Sequence, residues 1–302
     1  MINHKNSFNP SESQVPADWP FRENSKMVKT NDFLWHVQIF KNQSERNRPL
    51  FLLIHGTGGA VHSWYEMVED LHNKADLILI DLPGHGFTEE RSNNDYSLSG
   101  IALLLKKLLI VLNINKINLV IGHSAGAAVA IELSIDNNLQ QIAGLVGLNP
   151  SLVPPPISYN FFLNPWVSPL VASKGFTSFL SFATQNTSLV ENLLLSTGSK
   201  LDFNQKKLYK KIFSQDKHVK GAVKFMASTN LLNLLGKSND LKTKTTFIVG
   251  KEDPWVKINP LKAIIVQNFP NSKIIENTGG HLMHETYPKK ISSQILTAFN
   301  EL

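Results

Sequence analysis

INLVIGHSAGAAVAIEL, residues 117–133, decides how the rest of the chain is read. Its first six residues are mostly apolar and β-branched, as in a strand buried on both faces. Its last seven, AAVAIEL, read as helix. Between them stands Gly122-His123-Ser124-Ala125-Gly126, a G-x-S-x-G at a strand-to-helix junction. In that setting the pattern predicts a sharp turn that lifts a serine hydroxyl above a sheet edge. Such a turn is too tight for neighbouring side chains, hence Gly122 and Gly126. The helix N-terminus behind Ser124 favours negative charge. The same five letters also occur in ordinary turns, so the reading stands or falls on partners elsewhere.

Working outward, short apolar runs bounded by turn residues predict strands at 33–40, 50–55, 76–82, 117–122, 142–148, 245–250 and 272–277. Helical patterns fall at about 63–73, 98–112, 124–137, 260–268 and 285–300. This alternation predicts an α/β fold with a mostly parallel central sheet flanked by helices. The alternation breaks after Asn-Pro at 149–150. Residues 151–243 show helical segments and no convincing strand, which predicts a helical cap inserted between two halves of a core. The expected divisions are a flexible lead-in at 1–24, core at 25–150, cap at 151–243 and core again at 244–302. No repeat of fixed period is visible.

The 302 residues are 42% hydrophobic and 18% charged, as in a soluble globular protein. No cysteine is present, which excludes disulfides, thiolate metal sites and a cysteine nucleophile. The polar N-terminus has no apolar signal-peptide core. The longest apolar stretch, IALLLKKLLIVL at 101–112, is interrupted by Lys106 and Lys107 and is shorter than the roughly 20 residues a membrane helix needs. No transmembrane segment is expected, and the location expected is cytoplasmic, with peripheral membrane contact left open.

The net charge of +6 is uneven. Residues 1–150 hold 12 Lys/Arg against 15 Asp/Glu, whereas 151–243 hold 11 Lys against 4 acids. That basic stretch reads as a solvated face, or as a surface for an anionic substrate, an acidic partner or an anionic membrane. No nucleic-acid recognition motif accompanies it, so nucleic acid is not an expected partner.

A nucleophilic serine needs a base and an acid. Of ten histidines, His218, His281 and His284 follow Ser124. His218 lies among lysines and reads as a surface residue. Gly279-Gly280-His281 follows the last strand, where glycines let a loop bring the imidazole to the sheet edge, so His281 is the expected base. His284 is expected to be structural or pocket-lining. The acid should end a strand: Asp253, in Gly250-Lys251-Glu252-Asp253, would hold the His281 tautomer, with Glu252 as the alternative. His55-Gly56-Thr57-Gly58-Gly59 follows another strand. The backbone N–H groups of Thr57 and Ala125 are the expected donors to an oxyanion.

Further expected pocket residues are Gly56, His123, Phe161, Trp166, Trp255 and Leu282. No metal or cofactor is expected. His281 and His284 do not form H-E-x-x-H, the 55–59 loop lacks a following Walker Lys-Ser/Thr, and Asp81-Leu-Pro-Gly84-His85-Gly86 lacks the third glycine of a dinucleotide turn. This last segment reads as a turn beside the site, with His85 structural.

The order HGTGG, DLPGHG, GHSAG, GKED, GGH resembles the α/β-hydrolase family across about residues 25 to 300. The resemblance implies a helical cap after the sixth strand, a Ser124–His281–Asp253 triad and a Thr57/Ala125 oxyanion hole. Some relatives place the acid one strand earlier, where this chain carries Asn149.

The pieces ADWP (17–20), WHVQ (35–38), HGTGGAVHSW (55–64), DLPGHGFT (81–88), LNP (148–150) and GGHLMHE (279–285) further resemble the magnesium-chelatase accessory proteins of bacteriochlorophyll biosynthesis. That likeness implies a link to magnesium insertion into protoporphyrin, with a tetrapyrrole or chelatase subunits as partners. An apolar and basic cap, with Phe161, Phe162, Trp166, Phe176, Phe179 and Phe182, suits a flat, greasy, carboxylated molecule. It suits an ordinary helical core equally. Two functions are thus expected: a serine hydrolase on an ester-like substrate, or a binding-only accessory protein. A serine at this position argues against dehalogenase and epoxide-hydrolase chemistry, which use Asp there in this fold.

Overall fold

The computed structural model describes residues 7–45, 47–91, 93–135, 141–153 and 188–302. Among these, nine strands form one sheet: β1 (Ser7–Phe8), β2 (Ser25–Lys29), β3 (Leu34–Phe40), β4 (Leu50–Ile54), β5 (Asp76–Ile80), β6 (Lys116–His123), β7 (Gln141–Leu148), β8 (Lys244–Gly250) and β9 (Lys273–Asn277). The spatial order is β1-β2-β3-β5-β4-β6-β7-β8-β9. Pairing is antiparallel from β1 to β5 and parallel from β5 onward. The parallel strands β4, β6, β7, β8 and β9 therefore end on the same edge, where ligands bind in open α/β sheets.

Alternate residues of each strand enter two cores. Leu52, Ile54, Val120 and Val249 pack on one face with α2 (Leu98–Val111), α3 (Ala125–Ile135) and α8 (Ile258–Asn268). Phe51, Leu53, Ile121 and Ile248 pack on the other with α1 (Val68–His72) and α10 (Pro288–Asn300). Between β7 and β8 the described residues hold α4 (Leu189–Ser196), α5 (Phe203–Phe213), α6 (Asp216–Ser228) and α7 (Leu231–Gly236), and α9 (Met283–Thr286) precedes α10. Helix α5 begins with a capping box from Asp202 and Gln205. Helix α6 lies directly on the loop after β5, where a Cβ on Gly84 would sit 2.7 Å from the Gly221 Cα. Neither backbone leaves room for a side chain there.

Two expectations are corrected. Residues 7–24 are not a loose lead-in, since Val15 and Trp19 are buried and the Trp19 ring meets Phe87 edge-on at 4.7 Å. β1 and β2 carry too few residues for a periodic signal, and polar neighbours conceal the two anchors. The ADWP and WHVQ pieces meet here: the Gln38 side-chain amide donates to the Pro20 carbonyl at 2.6 Å.

The basic stretch, in turn, is only partly a solvated face. Lys211 pairs with Asp18, Lys220 and Lys224 with Glu90, and Lys237 with Glu132, so four of its lysines answer acids of residues 1–150. The charge asymmetry along the sequence is in part a complementarity between two layers. Among the described residues, no helix is long and apolar enough to cross a membrane.

Candidate active site

Ser124 sits at the end of β6 with φ of +52°, a left-handed conformation that is strained for serine. The flanking glycines are sterically required. A Cβ on Gly126 would lie 2.3 Å from the Ile54 carbonyl oxygen, and one on Gly122 would lie 2.5 Å from the Ala127 Cα. The end of β7 holds the turn, because the Ser124 N–H donates to the Leu148 carbonyl at 2.9 Å and Ser151 N–H donates to the Ser124 carbonyl at 3.1 Å. Ala125 opens α3 directly behind.

The other two expected partners arrive from β8 and β9. His281 Nδ1 lies 2.7 Å from Asp253 Oδ2, and its Nε2 lies 2.9 Å from Ser124 Oγ. Asp253 Oδ1 accepts two backbone N–H bonds, from Trp255 at 2.8 Å and Val256 at 2.9 Å. With an ionised Asp253 the proton belongs on Nδ1, which leaves the Nε2 lone pair facing the serine hydroxyl. Glu252, the alternative acid, is exposed. Trp255 tilts over the His281 ring at 5.1 Å between centroids. All three polar side chains are nearly buried, which strengthens their electrostatic coupling.

The His281 backbone is equally constrained. Its N–H donates to the Thr197 carbonyl at 2.8 Å, just past α4. The next N–H, of Leu282, donates to Ser199 Oγ at 2.9 Å. Gly280 fits only because it has no Cβ, which would lie 2.5 Å from Gly198 backbone atoms. The His281 carbonyl accepts from His123 Nε2 at 2.9 Å. Burial, then the neighbouring His284 and His281, holds the His123 pKa well below the ordinary histidine range. The ring is therefore neutral, with its proton on Nε2.

A small cleft of about 40 Å³ is lined by Gly56, Thr57, His123, Trp255, His281 and Leu282, among others. A Cβ on Gly56 would stand 2.9 Å from the Ser124 Cβ, so the loop after β4 runs in contact with the serine. Phe161 and Trp166, with Phe162, Phe176, Phe179 and Phe182, lie outside the described residues. The lining also includes Ser63, Leu193, Leu194, Thr197, Tyr209 and Phe213, which sequence pattern did not single out. Only tertiary folding brings α4 and α5 there, and no local signal marks it.

His218 is not a surface residue. It is fully buried and its Nδ1 accepts from the Gly86 N–H at 3.0 Å, while burial and the nearby His85 depress its pKa strongly. The half-buried lysines that flank it on α6, Lys217, Lys220 and Lys224, made the stretch look like a surface in the sequence. His85 is buried in the loop after β5, as expected for a structural residue. His284 is buried against His123 at 4.2 Å and Trp64 at 4.9 Å. Among the described residues, no group of three or more His, Asp or Glu side chains has the spacing to hold a metal ion.

Beneath the cleft, Glu285 accepts from the Tyr209 hydroxyl at 2.7 Å. Burial pushes its pKa up to about 8, against the downward pull of that hydrogen bond. The folded protein therefore keeps a proton that the unfolded chain releases near pH 4.5. Stability should fall as pH rises from about 4.5 to about 8, by about 1.4 kcal/mol per pH unit at most. Glu285→Gln keeps an acceptor for Tyr209 and removes the titration. Its urea midpoint should accordingly change less between pH 5 and pH 8 than that of the wild type.

A family model described as alpha/beta hydrolase fold matches residues 49–288. The magnesium-chelatase 30 kDa subunit of Rhodobacter capsulatus is 29% identical over 291 residues, covering 93% of this chain and 96% of that one. Among solved structures, the enol-lactonase from Burkholderia xenovorans superposes with a TM-score of 0.72 at 15% identity, covering 91% of this chain and 99% of that chain. An esterase from Thermogutta terrifontis gives 0.67 at 19% identity, covering 91% and 96%.

Proposed function

The chain belongs to the alpha/beta hydrolase fold family, and from that premise we propose that it is a serine hydrolase acting on an ester-like or other acyl substrate. The observation that carries this reading is the unbroken hydrogen-bond chain from Asp253 through His281 to Ser124. Ser124 Oγ attacks the acyl carbonyl while His281 Nε2 takes the hydroxyl proton. Asp253 keeps the imidazole in the required tautomer and stabilises the imidazolium. His281 returns the proton to the leaving group, and the acyl-enzyme forms. Water, deprotonated by the same nitrogen, then releases the acid and restores Ser124.

The backbone N–H groups of Thr57 and Ala125 serve as the oxyanion donors. The contact between the 55–59 loop and Ser124, and the start of α3 at Ala125, favour that assignment. Residues 151–243 act as the cap over the cleft. Its described lining carries no Lys, Arg, Asp or Glu, which favours an uncharged group at the reacting end of the substrate.

The relative from Rhodobacter capsulatus is named as a magnesium-chelatase subunit, which favours a role for this chain beside a magnesium chelatase. That likeness also supports a second reading, a binding-only partner of the chelatase or of its tetrapyrrole. Labelling of the purified protein with a fluorophosphonate probe separates the two. The hydrolase reading expects covalent labelling that disappears in Ser124→Ala and in His281→Ala. A folded wild type that does not label, with Ser124→Ala leaving magnesium insertion unaffected, would favour the binding-only reading.

A further inference from the structure

Three loops must meet at the sheet edge to bring Ser124, Asp253 and His281 together, and one buried side chain touches two of them. Asn149 follows β7 in a left-handed conformation, with φ of +41°, and is 1% exposed. Its Oδ1 accepts from the Gly250 N–H at 2.6 Å, at the root of the loop that carries Asp253. Its Nδ2 donates to the carbonyls of Gly280 and His281, both at 3.0 Å. The orientation of this amide is unambiguous, because an N–H faces one end and two carbonyls face the other. The adjoining residues Leu148 and Ser151 hold the backbone of Ser124 itself. The segment 148–151 is thus the shared anchor of nucleophile, base and acid.

We propose that Asn149 is a positioning residue: its amide bridges the Gly250 N–H and the His281 carbonyl, and so sets the His281 imidazole against Asp253 and Ser124. The role deepens the serine-hydrolase reading and rests on it for its catalytic consequence. A buried amide is suited to this, since it offers an acceptor on one side and two donors on the other without a charge. A carboxylate of the same shape would still accept from Gly250 but would turn an oxygen toward two carbonyl oxygens. The His281 carbonyl would then keep only its bond from His123. A tilt of the imidazole by about 1 Å at Nε2 is enough to slow proton transfer about 10²-fold.

Asn149→Asp and Asn149→Ser test this, with Leu71→Ala, a fully buried residue of α1 that makes none of these hydrogen bonds, as a control for lost stability. Two readouts are needed. One is the rate of fluorophosphonate labelling across pH 5 to 9. The other is the proton resonance of the His281 Nδ1–H in ¹⁵N-histidine-labelled protein, assigned by its loss in His281→Ala. We expect both Asn149 variants to label about 10²-fold more slowly, with a shifted pH midpoint and a His281 Nδ1–H that exchanges faster with water. Leu71→Ala should lower the melting temperature and leave both readouts unchanged.

Asn149 variants with wild-type labelling rate, pH midpoint and resonance would overturn the proposal. So would a wild type in which the Nδ1–H resonance cannot be found, or a Leu71→Ala that reproduces the effect. A wild type that shows the resonance, loses it in the Asn149 variants, yet never labels would sink the serine-hydrolase reading and leave the positioning role standing.

Discussion

Asp253→Asn should slow probe labelling and any ester hydrolysis about 10⁴-fold at neutral pH, with little change in the unfolding midpoint. The size of the effect follows from which atoms are pinned. Oδ1 accepts the N–H groups of Trp255 and Val256, and only an oxygen can do so. An asparagine must therefore keep its oxygen there and turn its NH₂ toward His281 Nδ1. That nitrogen then has to accept, so the imidazole proton moves to Nε2 and points at Ser124 Oγ. The ring is held in place, but it can no longer take the serine proton. Kinetics combined with a crystal structure of the variant would check this: an undisturbed loop with near-wild-type rates would refute the tautomer argument.

Asp81→Ala should cost about 4 kcal/mol of stability, measured by urea unfolding at pH 7. This carboxylate lies just past β5 and is completely buried. Oδ2 accepts from His36 Nδ1 at 2.7 Å and from Phe87 N–H at 2.8 Å, while Oδ1 accepts from Val61 N–H at 2.7 Å. Burial alone would raise its pKa, but His36, with smaller help from His55 and the Phe87 N–H, outweighs burial and holds it well below the usual range. Its stabilising contribution is therefore complete above the unfolded value of about 4. It is lost as pH falls below that value through the lower folded one. The gap between wild type and Asp81→Ala should narrow below about pH 4. A gap that stays constant into acid would show that the charge of Asp81 is not what stabilises this junction.

The fold and the polar centre were legible because both are written locally. Continuous apolar runs mark strands buried on two faces, and G-x-S-x-G carries its own steric signature in Gly122 and Gly126. His281 and Asp253 were found because each follows a strand at a position where a loop can reach the sheet edge. What stayed hidden depends on partners far away in the chain. Trp19 looks like a residue of a polar tail until Phe87 is beside it. His218 reads as a member of a lysine-rich surface until the Gly86 N–H meets it across 132 positions. Asn149 looked like a missing acid, and its hydrogen bonds to positions 250, 280 and 281 became visible only in three dimensions.

The tether between Thr197–Ser199 and the His281 loop bears on how this scaffold can be re-engineered. Insertions of this kind invite swapping between relatives as though they were interchangeable modules. Here the excised piece would take with it the carbonyl that receives the His281 N–H and the hydroxyl that receives the Leu282 N–H. A graft joined at 151 and 243 must restore both groups and keep position 198 free of a side chain, or the host's own histidine shifts. Libraries aimed at new substrate preference are better confined to Leu193, Leu194 and Phe213, which line the cleft without forming those bonds.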